Sequence, residues 1–427
     1  MTSVAPVGAQ PTNLAPLPRL LAYAQGLGLE RHLSRAKRGI PTLALALVWL
    51  VLAWRGTGRP ERLDRLDEPL LVALLGRARQ PAARTLLRSV AYFSAHDVRR
   101  AVEASYQAEL PRRDGRVWAA LDAHQLPYWG RGKPDRFEKG WSGSHSRRLR
   151  GYRLYLATDT ETGQVITYLL ARGGAGDDRL LAVLARRVRA LLGRRLAGVV
   201  ADCGFTSRAA VAALFDAKIP FILGFARSAP IRARLTALSG QQRRWLRDGG
   251  AIRLGACAWD ARLRLFAIGA RSPTDTRGPW VYVTSLRSWG PNRLAATYRR
   301  RWRVEQAIEE LLNGMDLDHL IGHRLHPNRV AVGFRLLARN LAIGLQIRDA
   351  MEMPAGPRLH GRAALRANAR PTVIREPAAF RAEHVDGLGT FAPDDRDPRA
   401  LLLVRHRPTE AAVYPLPWTD RTVRLVA

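Results

Sequence analysis

The order of apolar segments between residues 113 and 224 is the feature that most constrains the fold of this chain. Continuous or alternating apolar runs predict strands, and longer amphipathic runs predict helices. In chain order they predict a strand at 116–122, strands at 152–158 and 164–170, a helix at 178–192, a strand at 196–202, a helix at 206–217 and a strand at 219–224. The turn residues at 159–163 predict a hairpin between the second and third strands. This order is typical of an α/β domain, with a mixed sheet covered by helices.

The region before this domain has a helical pattern. Residues 1–15 are rich in Pro and Ala and are predicted to be disordered. Residues 16–112 are predicted to form an all-α region for DNA binding or dimerisation. Its most apolar segment, 42–54, is shorter than the roughly 20 residues of a membrane span. Predicted helices at 66–75 and 83–93 enclose a basic turn, which fits either a DNA-reading pair or an ordinary helical hairpin.

Three further segments complete the predicted organisation. Residues 123–150 read as a Gly- and Arg-rich loop, and residues 225–288 contain several short strand signals that predict a β-rich insertion. Residues 289–350 return to helical patterns and are predicted to complete the domain that begins at 113–224. Residues 351–427 are rich in Pro, Gly and Arg, and we expect a loosely packed basic tail.

The net charge indicates the class of partner. The 427 residues carry a formal charge of +33, with a sequence pI of about 11.5. Such an excess repels itself unless a polyanion neutralises it, so nucleic acid is the leading partner and an anionic membrane surface is the second. Almost all of the positive charge is arginine, which binds phosphate in a bidentate manner, although a GC-rich genome also favours this residue. Of these two, DNA is the expected partner, and no membrane partner is expected.

Cysteine usage and the N-terminal sequence indicate the compartment. Cys203 and Cys257 are the only cysteines, too few for a four-ligand zinc site or a disulfide framework. The N-terminus lacks a basic segment followed by an apolar core, so no signal peptide is expected. We therefore expect a reducing, cytoplasmic setting.

Two of the predicted strands end in aspartate, at Asp122 and Asp202. Polar side chains at the carboxyl ends of buried strands build the sites of α/β sheets. A turn or a helix cap is the ordinary role of such an aspartate, so each residue alone has two interpretations. Two of them in one sheet make a shared site the more specific hypothesis.

A helix predicted at 298–313 supplies a third carboxylate. Tyr298, Arg301 and Glu305 follow at i, i+3 and i+7 and lie along one edge of it, although charged residues on an amphipathic helix often form only a solvated face. Three carboxylates that converge repel one another, and divalent cations relieve that repulsion. Mg²⁺ or Mn²⁺ prefers oxygen ligands, and a pair of ions about 3.5–4 Å apart suits phosphoryl transfer.

Three sequence blocks resemble a known family. They read Leu-Asp-Ala-His-Gln-Leu-Pro-Tyr-Trp-Gly at 121–130, Val-Ala-Asp-Cys-Gly-Phe at 200–205, and Tyr-x2-Arg-x3-Glu at 298–305. Together they resemble the motif blocks of bacterial insertion-sequence DDE transposases that carry a Tyr-x2-Arg-x3-Glu-x6-Lys signature and a β-rich insertion before the Glu. The resemblance covers roughly residues 115–345.

The resemblance implies an RNase H-like fold in which Asp122, Asp202 and Glu305 hold two Mg²⁺ or Mn²⁺ ions. It also implies that Tyr298 and Arg301 contact the phosphates of the transposon end. The insertion of this family can carry an aromatic side chain that stacks on a flipped base. The candidates are Trp245 and Trp259, with Trp289 as a third, and a core position is the alternative for each.

The chain departs from the family pattern at two positions. Leu312 stands where the signature has lysine, so one phosphate contact is missing or comes from elsewhere. His124 stands two residues after Asp122, where a small hydroxyl residue is common. Other acids have ordinary explanations. We expect Asp159 to serve the hairpin turn, and Asp177 and Asp178 to cap a helix. Glu309 and Glu310 could bind metal only if their helix were rotated.

These observations predict a DNA transposase that cuts the ends of its element and joins them to target DNA. The expected partners are the terminal inverted repeats, the target DNA and a second copy of the chain in a synaptic homodimer. Two other hypotheses stay open: a metal-dependent nuclease or resolvase on the same fold, which cuts without joining, and an inactive transposase-derived DNA-binding protein.

Overall fold

The computed structural model describes residues 10–14, 16–33, 41–65, 68–75, 79–112, 115–130, 138–142, 145–269, 279–352, 389–394, 397–405, 412–415 and 422–426. The chain forms two compact units. The first contains Met1–Asp114, Leu126–Phe137 and Ile308–Ala427, and the second contains Gly115–Gln125 and Glu138–Ala307.

The α-helices are, in chain order, α1 (Leu17–Gly26), α2 (Glu30–Leu33), α3 (Thr42–Trp54), α4 (Pro69–Leu74), α5 (Ala83–Ser89), α6 (Ala95–Gln107), α7 (Asp177–Leu192), α8 (Arg208–Asp216), α9 (Ala229–Thr236), α10 (Gly240–Arg247), α11 (Pro291–Arg299), α12 (Trp302–Met315) and α13 (Leu325–Glu352). The β-strands are β1 (Gln10–Thr12), β2 (Val117–Pro127), β3 (Glu138–Ser142), β4 (Arg147–Asp159), β5 (Val165–Arg172), β6 (Leu196–Ala201), β7 (Phe221–Phe225), β8 (Ala251–Cys257), β9 (Asp260–Ile268), β10 (Trp280–Thr284), β11 (Gly389–Asp394), β12 (Asp397–Arg405), β13 (Ala412–Pro415) and β14 (Thr422–Val426).

The helical part of the first unit is built around α3 and α13. Twelve of the 13 residues of α3 are buried, which its uniformly apolar sequence requires. Helix α13 packs against α3 and α6, and Nε1 of Trp54 donates a hydrogen bond to the carbonyl of Ala338 at 2.8 Å. The segment Leu325–Asp349 has the length and hydropathy of a membrane span, but 94% of its apolar window is buried inside the protein. Such burial is typical of a helix that packs in the core of a protein.

The two ends of the chain meet in a five-stranded sheet of the first unit, in the order β1-β11-β12-β14-β13. Gln10 of β1 lies opposite Phe391 of β11, and β12 pairs with β14 in parallel. The predictions of disorder at 1–15 and of a loose tail at 351–427 are therefore wrong where these strands lie, and residues 1–9, 353–388 and the segments between the last strands are outside the described residues. Pro11 is tolerated because β1 is an edge strand. Pairing between opposite ends of the chain leaves no local sequence pattern.

The second unit contains a nine-stranded mixed sheet in the order β3-β4-β2-β6-β7-β10-β9-β8, with β5 beside β4. Strands β2, β6 and β7 run parallel, whereas the β4–β5 hairpin and the strands from β7 to β8 pair antiparallel. Helix α7 packs against β4, β5 and β6. This arrangement confirms the mixed α/β class, with helices before it and the RNase H-like mixed sheet that the resemblance implied.

The segment predicted as a β-rich insertion extends this same sheet. Strand β10 pairs with β7, and β9 and β8 follow it outward. Helices α9 and α10, which the prediction omitted, precede these strands. Helix α10 begins with a capping box of Ser239 and Gln242, and its Leu246 packs with Ile252 and Ala267. Residues 270–278, between β9 and β10, lie outside the described part of the chain.

The hairpin predicted at 159–163 is confirmed. Strands β4 and β5 pair antiparallel, with Leu156 opposite Tyr168. A carboxylate oxygen of Asp159 accepts hydrogen bonds from the amides of Glu161 at 2.7 Å and Thr162 at 3.3 Å. Gly163 adopts φ +73°, a left-handed conformation that glycine enters without strain. Asp159 therefore has the turn role expected from the sequence.

Candidate active site

Asp122 and Asp202 lie on neighbouring parallel strands of the second unit. Strand β2 pairs with β6 up to Leu121, which is opposite Ala201. Asp122 and Asp202 are the residues that follow this last pair, so both lie where the two strands separate. The prediction that the first strand ends at Asp122 is wrong, because β2 continues to Pro127 without β6 as a partner. The end of the pairing, rather than the end of the strand, exposes the carboxylate.

Each aspartate is oriented by the peptide that follows it. An oxygen of Asp122 accepts a hydrogen bond from the amide of Ala123 at 2.8 Å. An oxygen of Asp202 accepts one from the amide of Cys203 at 2.7 Å. The second oxygen of Asp122 does not take part in the bond with Ala123 and faces Nη1 of Arg301 at 3.5 Å.

The helix predicted at 298–313 is broken in the structure. Helix α11 ends at Arg299 and α12 begins at Trp302. Between them the amides of Arg300 and Arg301 donate to the carbonyls three residues earlier, at 3.2 and 2.8 Å. This tighter hydrogen bonding gives Arg301 a different direction from that of an unbroken helix. The prediction of one continuous helix is therefore wrong, because local propensity carries no signal for this break.

Arg301 lies between two of the acidic side chains. Its Nη1 is 3.5 Å from an oxygen of Asp122, and its Nη2 forms an ion pair with Glu305. The Arg301 side chain is only 15% exposed, whereas that of Glu305 is 45% exposed. Arg301 Nε is buried and has no acceptor among the described residues. Arg301 therefore neutralises two carboxylates and keeps one N–H group for a further acceptor.

The carboxyl of Asp122 has an unusually high pKa. Burial raises its pKa from 3.8 to about 6, and the charges of Glu305 and Asp202 act in the same direction. The Arg301 charge and the Ala123 amide oppose that rise but do not cancel it. Asp122 thus has a strong electrostatic reason to bind a cation, which restores its charged form.

Tyr298 is positioned by a stack of aromatic rings. Its side chain is buried, and its ring lies 4.1 Å from that of Tyr282, which in turn stacks on Phe266 at 5.2 Å. Burial raises the pKa of Tyr298 far above its usual range, so its hydroxyl remains protonated. The guanidinium of Arg301 lies 5.7 Å from the Tyr298 ring centre. Sequence reasoning missed Tyr282, because its role depends on the pairing of β10 and leaves no motif.

The donor set fits a divalent metal ion in its chemistry but not in its present placement. Asp122, Asp202 and Glu305 offer carboxylate oxygens, which Mg²⁺ and Mn²⁺ prefer. In the part of the chain that the structure describes, no three His, Cys, Asp or Glu side chains lie close enough together to hold an ion. Arg301 takes the position between Asp122 and Glu305. Glu305 is held by Arg301 in this structure, and its side chain is 45% exposed.

The candidate tryptophans have different surroundings. Trp245 of α10 is 49% exposed, and its Nε1 donates to the carbonyl of Ala251 at 3.3 Å. It borders an open cleft of about 370 Å³ lined by Gln241, Gln242, Arg244, Trp245, Asp248 and Ile252. Trp259 is half-buried against Phe225, with ring centres 4.8 Å apart, and Trp289 packs on Trp118. Of the three, Trp245 has the geometry of a ring that is open to a ligand.

The remaining sequence candidates lie apart from this cluster or have other partners. Glu310 belongs to the first unit, where its carboxylate pairs with the fully buried Arg339 at 2.8 Å. Asp177 accepts hydrogen bonds from Arg153 and Tyr155 at 2.5–2.8 Å instead of capping α7. Leu312 is half-buried on α12. His124 shares the face of β2 with Asp122, two residues along the strand.

The family described as "Transposase DDE domain" matches residues 115–341, which is more than half of the chain. No curated protein matches it. Among the solved structures that match is one titled "Cryo-EM structure of piggyBac transposase synaptic complex with hairpin DNA". It is 13% identical with a TM-score of 0.49, and the match covers 88% of this chain and 84% of that one.

Proposed function

The chain belongs to the transposase DDE-domain family, and from this premise we propose that it cuts the ends of an insertion-sequence element and joins them to target DNA. The observation that supports the proposal is that Arg301, only 15% exposed, pairs with both Asp122 and Glu305, while the charge of Asp202 also acts on Asp122 and Arg301. Such a set of carboxylates serves no evident purpose in stability, because each of them is charged and two share a single counter-ion. It does suit the binding of cations at a phosphodiester.

The proposed cofactor is a pair of Mg²⁺ or Mn²⁺ ions held by Asp122, Asp202 and Glu305. When bound, such ions activate the attacking oxygen and neutralise the leaving oxygen of a phosphoryl transfer. The protein's own contribution is to hold two carboxylates on rigid neighbouring strands and to bring the third from α12. The movement of Glu305 away from Arg301 would complete the set.

Arg301 and Tyr298 are proposed to bind the phosphates of the element end. When Glu305 turns to the ions, Arg301 loses one partner and can offer that N–H group, together with its buried Nε, to a phosphate oxygen. The protonated Tyr298 hydroxyl can donate a hydrogen bond. Trp245 is proposed to stack on an unpaired base in its cleft, with Trp259 less suited because Phe225 already packs on its ring.

The proposed partners are DNA and a second copy of the chain. The formal charge of +33 favours binding to both element and target DNA, with a steep dependence on salt. A homodimer in a synaptic complex would bring two ends together, and we place this activity in the cytoplasm, at the nucleoid.

A strand-transfer assay tests the proposal. The full-length protein is mixed with pre-cut ends from a DNA fragment that carries its gene and native flanks, and with a supercoiled target plasmid. We expect joined products with Mg²⁺ and none when EDTA removes the metal, while DNA binding persists. Cutting of uncut fragment without joining would indicate the nuclease or resolvase. Binding without either reaction would indicate the inactive DNA-binding copy.

A further inference from the structure

An exposed two-stranded ribbon projects from one edge of the sheet in the second unit. It consists of β3 and the first five residues of β4, which pair antiparallel from Glu138 opposite Gly151 to Ser142 opposite Arg147. The sequence pattern had predicted a loop across this segment. The prediction is wrong for β3 and β4, because the Gly and Arg content concealed a regular alternation of side chains.

The register divides the ribbon into two faces. Gly140 and Ser142 of β3 are buried on the inner face. A β-carbon on Gly140 would lie only 2.2 Å from the side-chain oxygen of Gln125 and 2.3 Å from the carbonyl of Gly173, so only glycine allows this close approach. The inner face is therefore fixed on the sheet, and the opposite face is held towards solvent.

The outer face combines cations with an aromatic ring. Lys139 lies opposite Arg150, and Trp141 lies opposite Arg148, and paired residues project from the same face. All four side chains are exposed, Trp141 to 57%. Glu138, the acid of this strand, alternates onto the other face and lies 3.9 Å from Arg172. The outer face therefore carries three positive charges, no carboxylate of its own strands and one large apolar ring.

These four side chains have the chemistry of a platform for a nucleic-acid strand. Two cations two residues apart on a strand are about 7 Å from each other and can follow a line of phosphates. Trp141 places an exposed aromatic ring beside these cations. A basic surface with an exposed aromatic ring is the arrangement on which unpaired bases stack while the backbone is neutralised.

We propose that the outer face of the β3–β4 ribbon binds an unpaired DNA strand, with Lys139, Arg148 and Arg150 on phosphates and Trp141 stacked on a base. The inference deepens the proposed function, on which it rests, by assigning a further surface that contacts DNA. None of these four residues belongs to the set of Asp122, Asp202 and Glu305 or lines the Trp245 cleft.

The test measures the affinity of the full-length protein for a fluorescent oligothymidylate and for a blunt duplex, over a range of salt. Trp141→Ala should weaken binding to the single strand about 5- to 150-fold, the range for one stacked base, with little change on the duplex. Trp141→Phe keeps a ring and should retain most of the affinity. The double variant Arg148→Gln/Arg150→Gln should reduce the salt slope by about 1.4, or 0.7 for each lost phosphate contact on a single strand.

The matched controls are Trp280→Ala, which removes another exposed tryptophan, and Arg179→Gln/Arg194→Gln, which removes two exposed charges near the ends of α7. These controls should bind both DNAs as the wild type does, and thermal melting should show every variant folded. Wild-type-like binding by the Trp141 and Arg148/Arg150 variants would overturn the ribbon assignment alone. Equal losses on both DNAs for Trp141→Ala would overturn the stacking role. A wild-type protein that binds neither DNA would overturn the proposed function together with the ribbon.

Discussion

The Asp202→Asn variant is expected to lose DNA cleavage by about 1,000-fold or more, because a metal-assisted phosphoryl transfer depends on each acidic ligand. Asparagine has nearly the same shape, and its side-chain oxygen can still accept the hydrogen bond from the amide of Cys203. Folding should therefore be unaffected. DNA affinity should stay the same or increase slightly, since a negative charge near the phosphates is removed. Cleavage and binding are measured on the same DNA fragment with native flanks.

Asp178→Asn is the matched control for this variant. Asp178 accepts a hydrogen bond from the following amide at 2.8 Å, as Asp202 does, but it lies on α7. We expect this control to cleave DNA as well as the wild type. Cleavage that survives in Asp202→Asn would reject the active-site assignment, and an equal loss of DNA binding would indicate a structural role for Asp202.

The Asp122→Asn variant is expected to be more stable than the wild type in metal-free buffer while it loses cleavage to a similar extent. Folding raises the pKa of Asp122 from 3.8 to about 6, so the folded protein binds its proton more tightly than the unfolded chain does. This contribution to stability is present below pH 3.8 and is lost as the pH rises to about 6. Above that pH the charged carboxyl costs up to about 3 kcal/mol of the free energy of unfolding.

Asparagine cannot ionise, so the variant avoids this cost. The melting temperature of Asp122→Asn should exceed that of the wild type by several degrees at pH 7.5, and the gap should narrow as the pH falls below 6. Added Mg²⁺ should stabilise the wild type and not the variant. The free energy of unfolding of Asp178→Asn should stay within about 0.5 kcal/mol of the wild-type value at every pH. If the variant is less stable than the wild type at pH 7.5, the Asp122 carboxylate stabilises the fold through its ion pair with Arg301 instead of destabilising it.

Much of the sheet in the second unit was predictable because its signals are local. The apolar run before Asp202, the hairpin turn at Asp159 and the amphipathic pattern of α7 each specify their own element. The parallel pairing of two such strands then brings Asp122 and Asp202 together, which follows from the order of elements alone. The motif blocks added Glu305, Arg301 and Tyr298, and the structure places all three near those aspartates.

The features that the sequence did not reveal are those that depend on distant partners. The break between α11 and α12 is made by two short-range hydrogen bonds among good helix formers, and it directs Arg301 between Asp122 and Glu305. The pairing of β1 with β11 joins opposite ends of the chain. In β3 and β4 the alternation of side chains between the two faces spans only a few residues on each strand. It can be recognised only from the pairing of the two strands.

Mn²⁺ titration by calorimetry is the most direct test of the central claim, that Asp122, Asp202 and Glu305 together form the metal site. The wild-type protein should bind Mn²⁺, and Asp122→Asn, Asp202→Asn and Glu305→Gln should each weaken that binding at least about 10-fold. Glu309→Gln is the matched control, since Glu309 is an exposed acid on the same helix. We expect wild-type Mn²⁺ affinity for Glu309→Gln. Unchanged affinity in the three site variants, or a loss only in Glu309→Gln, would contradict the assignment of the metal site.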